Sequence, residues 1–210
     1  LRFALAGNPN SGKTTLFNAL TGMNQYVGNW PGVTVEKKEG QLKGYPDVRL
    51  VDLPGIYSLS ANSLEEEIAR DYLLTSNPDV IINIVDGTNL ERNLYLTNQL
   101  AELDIPIVLA INMMDEVQKS GRKIDSKALG AQFGIPVVEI SALRETQIDK
   151  LAKVAMDSAQ QKQTAQILTS FSCGTEKALS EIEKIALDDR VKNKKRWYAI
   201  NLFVRNDLVK

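Results

Sequence analysis

The sequence predicts an α/β fold: a mostly parallel six-stranded sheet with helices on both faces, followed by a helical appendage. Three observations carry this reading. Short apolar, β-branched runs alternate with helical spacing from Arg2 to Ala159. A glycine-rich loop joins the first such run to the first helix. After Gln160 the strands stop, and the composition turns to Gln, Thr and Ser.

Taken in order, Arg2–Ala6 reads as a buried strand and Lys13–Thr21 as a helix stopped near Gly22. Met23–Pro31 has no apolar periodicity, and Gly28, Asn29, Pro31 and Gly32 read as an irregular loop. Val33–Leu42 and Val48–Asp52 alternate as strands joined by a turn at Lys43–Asp47. A loop over Asp52–Ser63 leads to a helix at Leu64–Leu74, in whose first turn Glu65, Glu66 and Glu67 read as solvated charge suited to the helix dipole. Val80–Val85 is an apolar strand, Arg92–Leu103 a helix and Ile107–Asn112 a buried strand. The polar stretch Gln118–Lys123 precedes a helix at Ser126–Phe133. Pro136–Ile140 and Gln147–Ala159 supply the last strand and the last helix of the sheet unit. The expected division is a sheet domain over 1–159, a linker over 160–174 and part of a helical domain over 175–210. That last part is built on Thr175–Leu187 and Arg196–Val204.

Composition narrows the function classes. With 210 residues and 43% hydrophobic content the chain can bury a core. A formal net charge of -1 argues against a broad basic face, and no nucleic-acid partner is expected. The basic run Lys192-Asn193-Lys194-Lys195-Arg196 reads as a solvated helix lead-in. The apolar stretch Ile105–Met114 falls short of the roughly 20 residues that cross a bilayer, so the fragment is expected to be soluble. Cys173 is the sole cysteine, which excludes an intrachain disulfide and suits the cytosol. A bystander role fits it better than a reactive thiol. The chain begins at Leu1 with no signal peptide, and reads as a piece of a longer polypeptide.

Gly7-Asn8-Pro9-Asn10-Ser11-Gly12-Lys13-Thr14 matches the phosphate-binding loop, after a strand and opening a helix as its mechanism requires. Its glycines let backbone N–H groups curl round a pyrophosphate, and the helix N-terminus adds positive potential. Lys13 reaches the β- and γ-phosphates, the Thr14 hydroxyl is placed for Mg2+, and Thr15 continues the loop into the helix. Asp52-Leu53-Pro54-Gly55 follows a strand, so Asp52 is the outer anchor for Mg2+ and Gly55 offers its N–H to a γ-phosphate. Thr34 is the candidate for the remaining Mg2+ hydroxyl, with methyl packing in a strand as the plainer alternative.

Asn112-Met113-Met114-Asp115 ends a buried strand. Its aspartate can accept from guanine N1–H and the exocyclic amine, which adenine cannot supply, while Asn112 braces the loops. In Ser141-Ala142-Leu143 the Ala142 N–H can donate to guanine O6, so polar groups left unpaired reject the wrong base. All four elements in order select GTP over ATP.

Val27-Gly28-Asn29-Trp30-Pro31-Gly32-Val33-Thr34-Val35-Glu36 resembles the first switch of the bacterial ferrous-iron transport protein B family. Asp52–Ser58, Asp86–Leu94 and Asn8–Asn18 are similar to that family too. Arg196-Trp197-Tyr198-Ala199-Ile200 resembles its helical region more loosely, and the appendage reads as cut short at Lys210. The resemblance implies a Ras-like G domain of the P-loop NTPase class. It further implies a part of a membrane transporter at the cytoplasmic face of the bacterial inner membrane, whose GTP/GDP state regulates Fe2+ uptake. Its implied partners are the transmembrane domain of the same polypeptide, small Feo accessory proteins and a homo-oligomer.

Where Ras-type enzymes carry a glutamine after the glycine of the second switch, this chain has Ile56, which cannot orient water. Hydrolysis is therefore expected to be slow. By resemblance to potassium-dependent GTPases, Asn10 and the carbonyls of Gly28 and Trp30 would hold K+ against the phosphates and supply the missing charge. Lys13, Asn10, Thr34 and Gly55 form the expected catalytic set. Trp30 either packs against the domain or swings as the switch opens. The rival readings are a stand-alone ribosome-assembly-type GTPase and a switch whose hydrolysis is incidental.

Overall fold

The computed structural model describes residues 1–22, 25–60, 62–162, 164–165, 171–185 and 194–205. Residues 166–170 of the expected linker, Leu187, Lys192, Asn193 and 206–210 lie outside the described residues.

The strands are β1 Arg2–Gly7, β2 Gln25–Asn29, β3 Glu36–Leu42, β4 Tyr45–Asp52, β5 Val80–Asp86, β6 Ile107–Asn112 and β7 Val137–Glu139. They form one seven-stranded sheet in the order β2-β3-β4-β1-β5-β6-β7. β2, β3 and β4 are antiparallel neighbours, and every pairing from β4 to β7 is parallel. The sheet thus has one strand more than the sequence predicts. The addition is β2, in the stretch expected to be an irregular loop. It pairs Gln25 with Gly40 through Asn29 with Glu36, and leaves Tyr26 and Val27 exposed at the sheet edge. An edge strand that buries neither of these side chains carries no apolar alternation to read.

The expected strand Val33–Leu42 begins only at Glu36, because the chain turns through Gly32 in the left-handed region, at φ 77.

The helices are α1 Lys13–Thr21, α2 Leu64–Thr75, α3 Leu90–Ala101, α4 Met114–Lys119, α5 Ser126–Phe133, α6 Ile148–Gln161, α7 Cys173–Ile185 and α8 Lys195–Phe203. Inner strands alternate between the two sheet faces. In β6, Ile107, Leu109 and Ile111 face one core, while Val108 and Ala110 face the other. The first core takes Ala69 and Leu73 of α2 and Leu96 and Leu100 of α3. The second takes Leu16, Phe17 and Leu20 of α1 and Leu151 and Ala155 of α6. Trp197 of α8 joins the first core, so the C-terminal helices dock on the face covered by α2 and α3.

Ahead of α8, Lys194 is buried, not solvated as its charge run suggests. Its Nζ donates to Leu73 O at 2.9 Å, to Leu74 O and to Asn77 Oδ1 at 2.6 Å, closing the C-terminal end of α2. Arg196 pairs with Glu176 at 2.7 Å, which fastens α8 to α7. Among the described residues no helix is long and apolar enough to cross a membrane.

Candidate functional site

The parallel register brings the ends of several strands to one rim. Gly7 closes β1, Asp52 closes β4, Asp86 closes β5 and Asn112 closes β6, with Ser141 just beyond β7. Open α/β sheets bind their ligands at this carboxyl edge.

At one end of the rim, the loop from Gly7 to Thr14 bends through left-handed backbone at Asn10 (φ 65) and Gly12 (φ 87). A Cβ on Gly12 would lie 2.3 Å from Asn112 Nδ2, so only glycine fits there. α1 opens at Lys13 with no side-chain cap, which leaves its first N–H groups for a ligand. Asn8 Oδ1 and Ser11 Oγ are buried without a hydrogen-bond partner among the described residues. An uncapped helix start beside a cradle of backbone N–H groups suits an oxyanion-rich ligand such as a phosphate chain.

Lys13 Nζ donates to Asp52 Oδ1 at 2.6 Å. Burial pushes the Asp52 carboxyl above its ordinary value, and the Lys13 ammonium pulls against that shift. Thr14, Thr15 and Thr34 are exposed, and Pro9 packs against Gly55, where a Cβ would come within 3.3 Å of Pro9 Cα. Ile56 is buried in the core, and its N–H donates to Gly7 O at 3.2 Å.

At the other end, Asn112 is buried and spends both amide atoms inside the protein. Its Nδ2 donates to Ser11 O at 2.8 Å, and its Oδ1 accepts from Ala142 N–H at 2.8 Å. One side chain therefore ties the glycine-rich loop to the Ser141–Leu143 loop. The Ala142 N–H, expected to face a base, is donated to Asn112 Oδ1. Met113 turns in the left-handed region at φ 61 and starts α4, a short helix absent from the expected elements. Asp115 Oδ1 accepts from Ser141 Oγ at 3.0 Å, and Arg144 Nε lies 3.2 Å from Oδ2. Burial pushes the Asp115 carboxyl up, but the Ser141 hydroxyl, a backbone N–H and Arg144 outweigh it, so its pKa is lowered. A cavity of about 480 Å3 opens here, lined by Asp115, Ser141, Arg144 and Lys150, while Leu143 points outward and is exposed.

Gly28 sits within β2 opposite Lys37, and the Trp30 carbonyl accepts from Val33 N–H at 3.2 Å. Among the described hydrogen bonds none joins either residue, or Thr34, to Asn10. Trp30 is packed rather than free: it meets Tyr72 of α2 edge-on at 5.4 Å, with Lys37 over its ring at 5.2 Å.

Glu66, read from sequence as solvated, is buried. Its Oε1 accepts from Ser58 N–H at 3.2 Å and Ser58 Oγ at 3.4 Å, and its Oε2 accepts from Asn62 N–H at 3.0 Å. Ser63 Oγ in turn accepts from Glu66 N–H at 3.2 Å. The Ser-x-x-Glu spacing of a capping box was the signal that could have found it.

The family model described as Ferrous iron transport protein B matches residues 1–155. The Fe(2+) transporter FeoB of Escherichia coli is 44% identical over 207 residues, covering 96% of this chain. The chain spans about a quarter of that relative's length, 26% of it. Among solved structures, a GDP-bound variant of the S. thermophilus FeoB G-domain aligns at 47% identity and a TM-score of 0.91, over 99% of this chain and 80% of that one. A variant of the same S. thermophilus domain bound to GDP·AlF4- aligns at 47% identity and a TM-score of 0.86, over 99% of this chain and 81% of that one. The family model covers most of the chain and the relatives' identities are high; the chain belongs to the ferrous iron transport protein B family.

Proposed function

We propose that this chain binds GTP and hydrolyses it slowly, as the nucleotide-controlled part of a ferrous-iron transporter at the cytoplasmic face of the cell membrane. The observation that carries the nucleotide reading is Asn112, which links the glycine-rich loop to the Ser141–Leu143 loop and so sets a phosphate cradle and a base reader at one spacing. Solved relatives with GDP and GDP·AlF4- in this fold support it.

In this reading Gly7 to Thr15 wrap the phosphates, and Lys13 leaves Asp52 to meet the β- and γ-oxygens. Asp115 exchanges Arg144 for the guanine N1–H and amine, and Ala142 N–H turns from Asn112 to O6. Thr14, Thr34 and Asp52 offer the hard oxygen ligands that suit Mg2+, which when bound would neutralise charge on the phosphates. Asn10 with the Gly28 and Trp30 carbonyls would hold K+, once β2 and the turn after it release those carbonyls. The 1–159 unit acts as the G domain, and α7 and α8 begin a helical domain that continues towards the membrane part of the same polypeptide. Small Feo accessory proteins and further copies of the chain are the remaining partners.

Two measurements test this. A fluorescent GDP analogue should bind and be displaced by GTP but not ATP; equal displacement by ATP refutes the base reading. Turnover of GTP should be faster in KCl than in NaCl, and Asn10→Ala should abolish the difference. Equal rates in the two salts refute the K+ assignment while leaving GTP binding intact.

A further inference from the structure

The Asp86-to-Leu94 run, which marks the family resemblance, borders the glycine-rich loop and Asn112, and it is held by a network of side-chain hydrogen bonds. Asp86 Oδ1 accepts from Thr88 N–H at 2.8 Å and Thr88 Oγ1 at 2.7 Å, and its Oδ2 accepts from Asn89 Nδ2 at 3.1 Å. Asn93 Oδ1 accepts from Asp86 N–H at 3.2 Å, and Asn93 Nδ2 donates to Asn89 O at 2.9 Å. These bonds fix the start of α3 to the end of β5. What this brace presents is Arg92, exposed on the first turn of α3, with its guanidinium carbon 4.6 Å from the centroid of the Tyr57 ring.

Tyr57 follows Ile56, the residue that stands where a water-orienting glutamine is absent. Ile56 is anchored by burial and by its bond to Gly7 O. Beyond it the segment is gripped from α3 at two points: Arg92 stacks on Tyr57, and Gln99 Oε1 accepts from Leu59 N–H at 2.9 Å. Beside the glycine-rich loop a cavity of about 220 Å3 is lined by Asn8, Asn10, Tyr57 and Arg92. The stack is thus a wall of the space next to the phosphate cradle.

We propose that Arg92 is a positioning residue: through the Tyr57 ring it holds the segment after Gly55 against the glycine-rich loop, in the arrangement turnover requires. With no side chain at position 56 able to order water, that task falls to backbone or polar groups of this segment, and their geometry is set by what holds it. The turnover arm of the test rests on the GTPase reading above; the exchange arm does not.

The variants are Arg92→Ala, Tyr57→Ala, Tyr57→Phe and the Arg92→Ala/Tyr57→Ala double. A cation over an exposed aromatic ring corresponds to about a two- to fivefold effect. Arg92→Ala and Tyr57→Ala should each lower kcat for GTP by about that factor, with KM and GDP affinity unchanged. Tyr57→Phe, which keeps the ring, should recover most of the loss, and the double variant should be no worse than either single one. In the nucleotide-free chain, amide hydrogen exchange over residues 56–60 should quicken in Arg92→Ala and Tyr57→Ala, return in Tyr57→Phe, and stay constant in β5. Unchanged exchange in Arg92→Ala overturns the proposal whatever the turnover. So does an unchanged kcat in an active background, additive losses in the double variant, or a Tyr57→Phe as damaged as Tyr57→Ala. A wild-type chain with no GTP turnover refutes the GTPase reading instead, and the exchange arm still decides whether Arg92 holds the segment.

Discussion

The two ends of the candidate site are prepared for a ligand in opposite ways. At the proposed base end, Asn112 makes neutral hydrogen bonds at 2.8 Å to both flanking loops, a frame that sets their spacing. At the proposed phosphate end, Lys13 and Asp52, proposed to meet a phosphate and Mg2+, pair with each other at 2.6 Å. In the proposed function the Asn112–Ser11 bond is kept on binding and the Ala142 N–H is redirected to the base, whereas the Lys13–Asp52 pair must be broken outright. A self-neutralised pair avoids an unpaired buried charge, which costs far more than an unpaired neutral group. In the proposed function, phosphate and cation would replace both partners.

The sharpest way to break the comparison is at the reader held by the frame. Asp115→Asn should weaken guanine nucleotide binding about 100-fold or more, because an amide cannot accept both guanine donors. Titration with a fluorescent GDP analogue measures it, and a loss below tenfold would remove Asp115 from the base site. Thermal stability should barely move, since its partner Arg144 is largely exposed.

Lys13→Met should cost about ten- to 100-fold in GDP affinity, the worth of hydrogen bonds to a charged group. Here stability should respond as well. Asp52 already has its pKa raised by burial against the pull of Lys13, and without Lys13 the rise grows. A carboxyl whose folded pKa is raised binds its proton first in the native state, so the native state gains on acidification. The gap in melting temperature between variant and wild type should therefore narrow from pH 7 to pH 5. A gap that widens on acidification would show that Lys13 does not govern Asp52. Asn112→Ala, by contrast, should cost about 2–4 kcal/mol of folding stability at any pH, because it strands the buried Ser11 carbonyl and Ala142 N–H. Chemical denaturation would measure it.

How much of this could be read in advance follows the same divide. The bounds of α1 and α5 agree with expectation because local punctuation sets them: Gly12 and Gly22 around α1, and Asp125 and Gly134 around α5. Asn112 and Asp115 are legible because one short motif carries both. β2 was illegible because its exposed edge has no alternation, and α4 because one and a half turns are too few to show a period. The Lys13–Asp52 and Arg92–Tyr57 contacts and the burial of Glu66 depend on which strand ends and helices the fold brings together. Only Glu66 left a local trace.

A second lysine tests whether a counter-ion is what makes a buried cation tolerable. Lys13 meets a carboxylate, whereas the described partners of Lys194 are neutral, two carbonyls and an amide at the end of α2. Burial pulls Lys194 down to about 8 from its ordinary 10.5. It is charged at neutral pH, and its three protons serve three acceptors. Lys194→Met strands them and should cost about 1–3 kcal/mol of stability, read as a lower melting temperature. The pH dependence carries a definite sign. A lysine with a depressed folded pKa gives up its proton first in the native state, so between about 8 and 10.5 the unfolded chain holds more protons and stability from this group rises with pH. The melting-temperature gap between wild type and Lys194→Met should therefore widen from pH 7.5 to pH 9.5. A gap that stays constant would mean that Lys194 is solvated in the native chain, and that among the described residues the C-terminal helices hold the α2 face through the apolar packing of Trp197 and Tyr198.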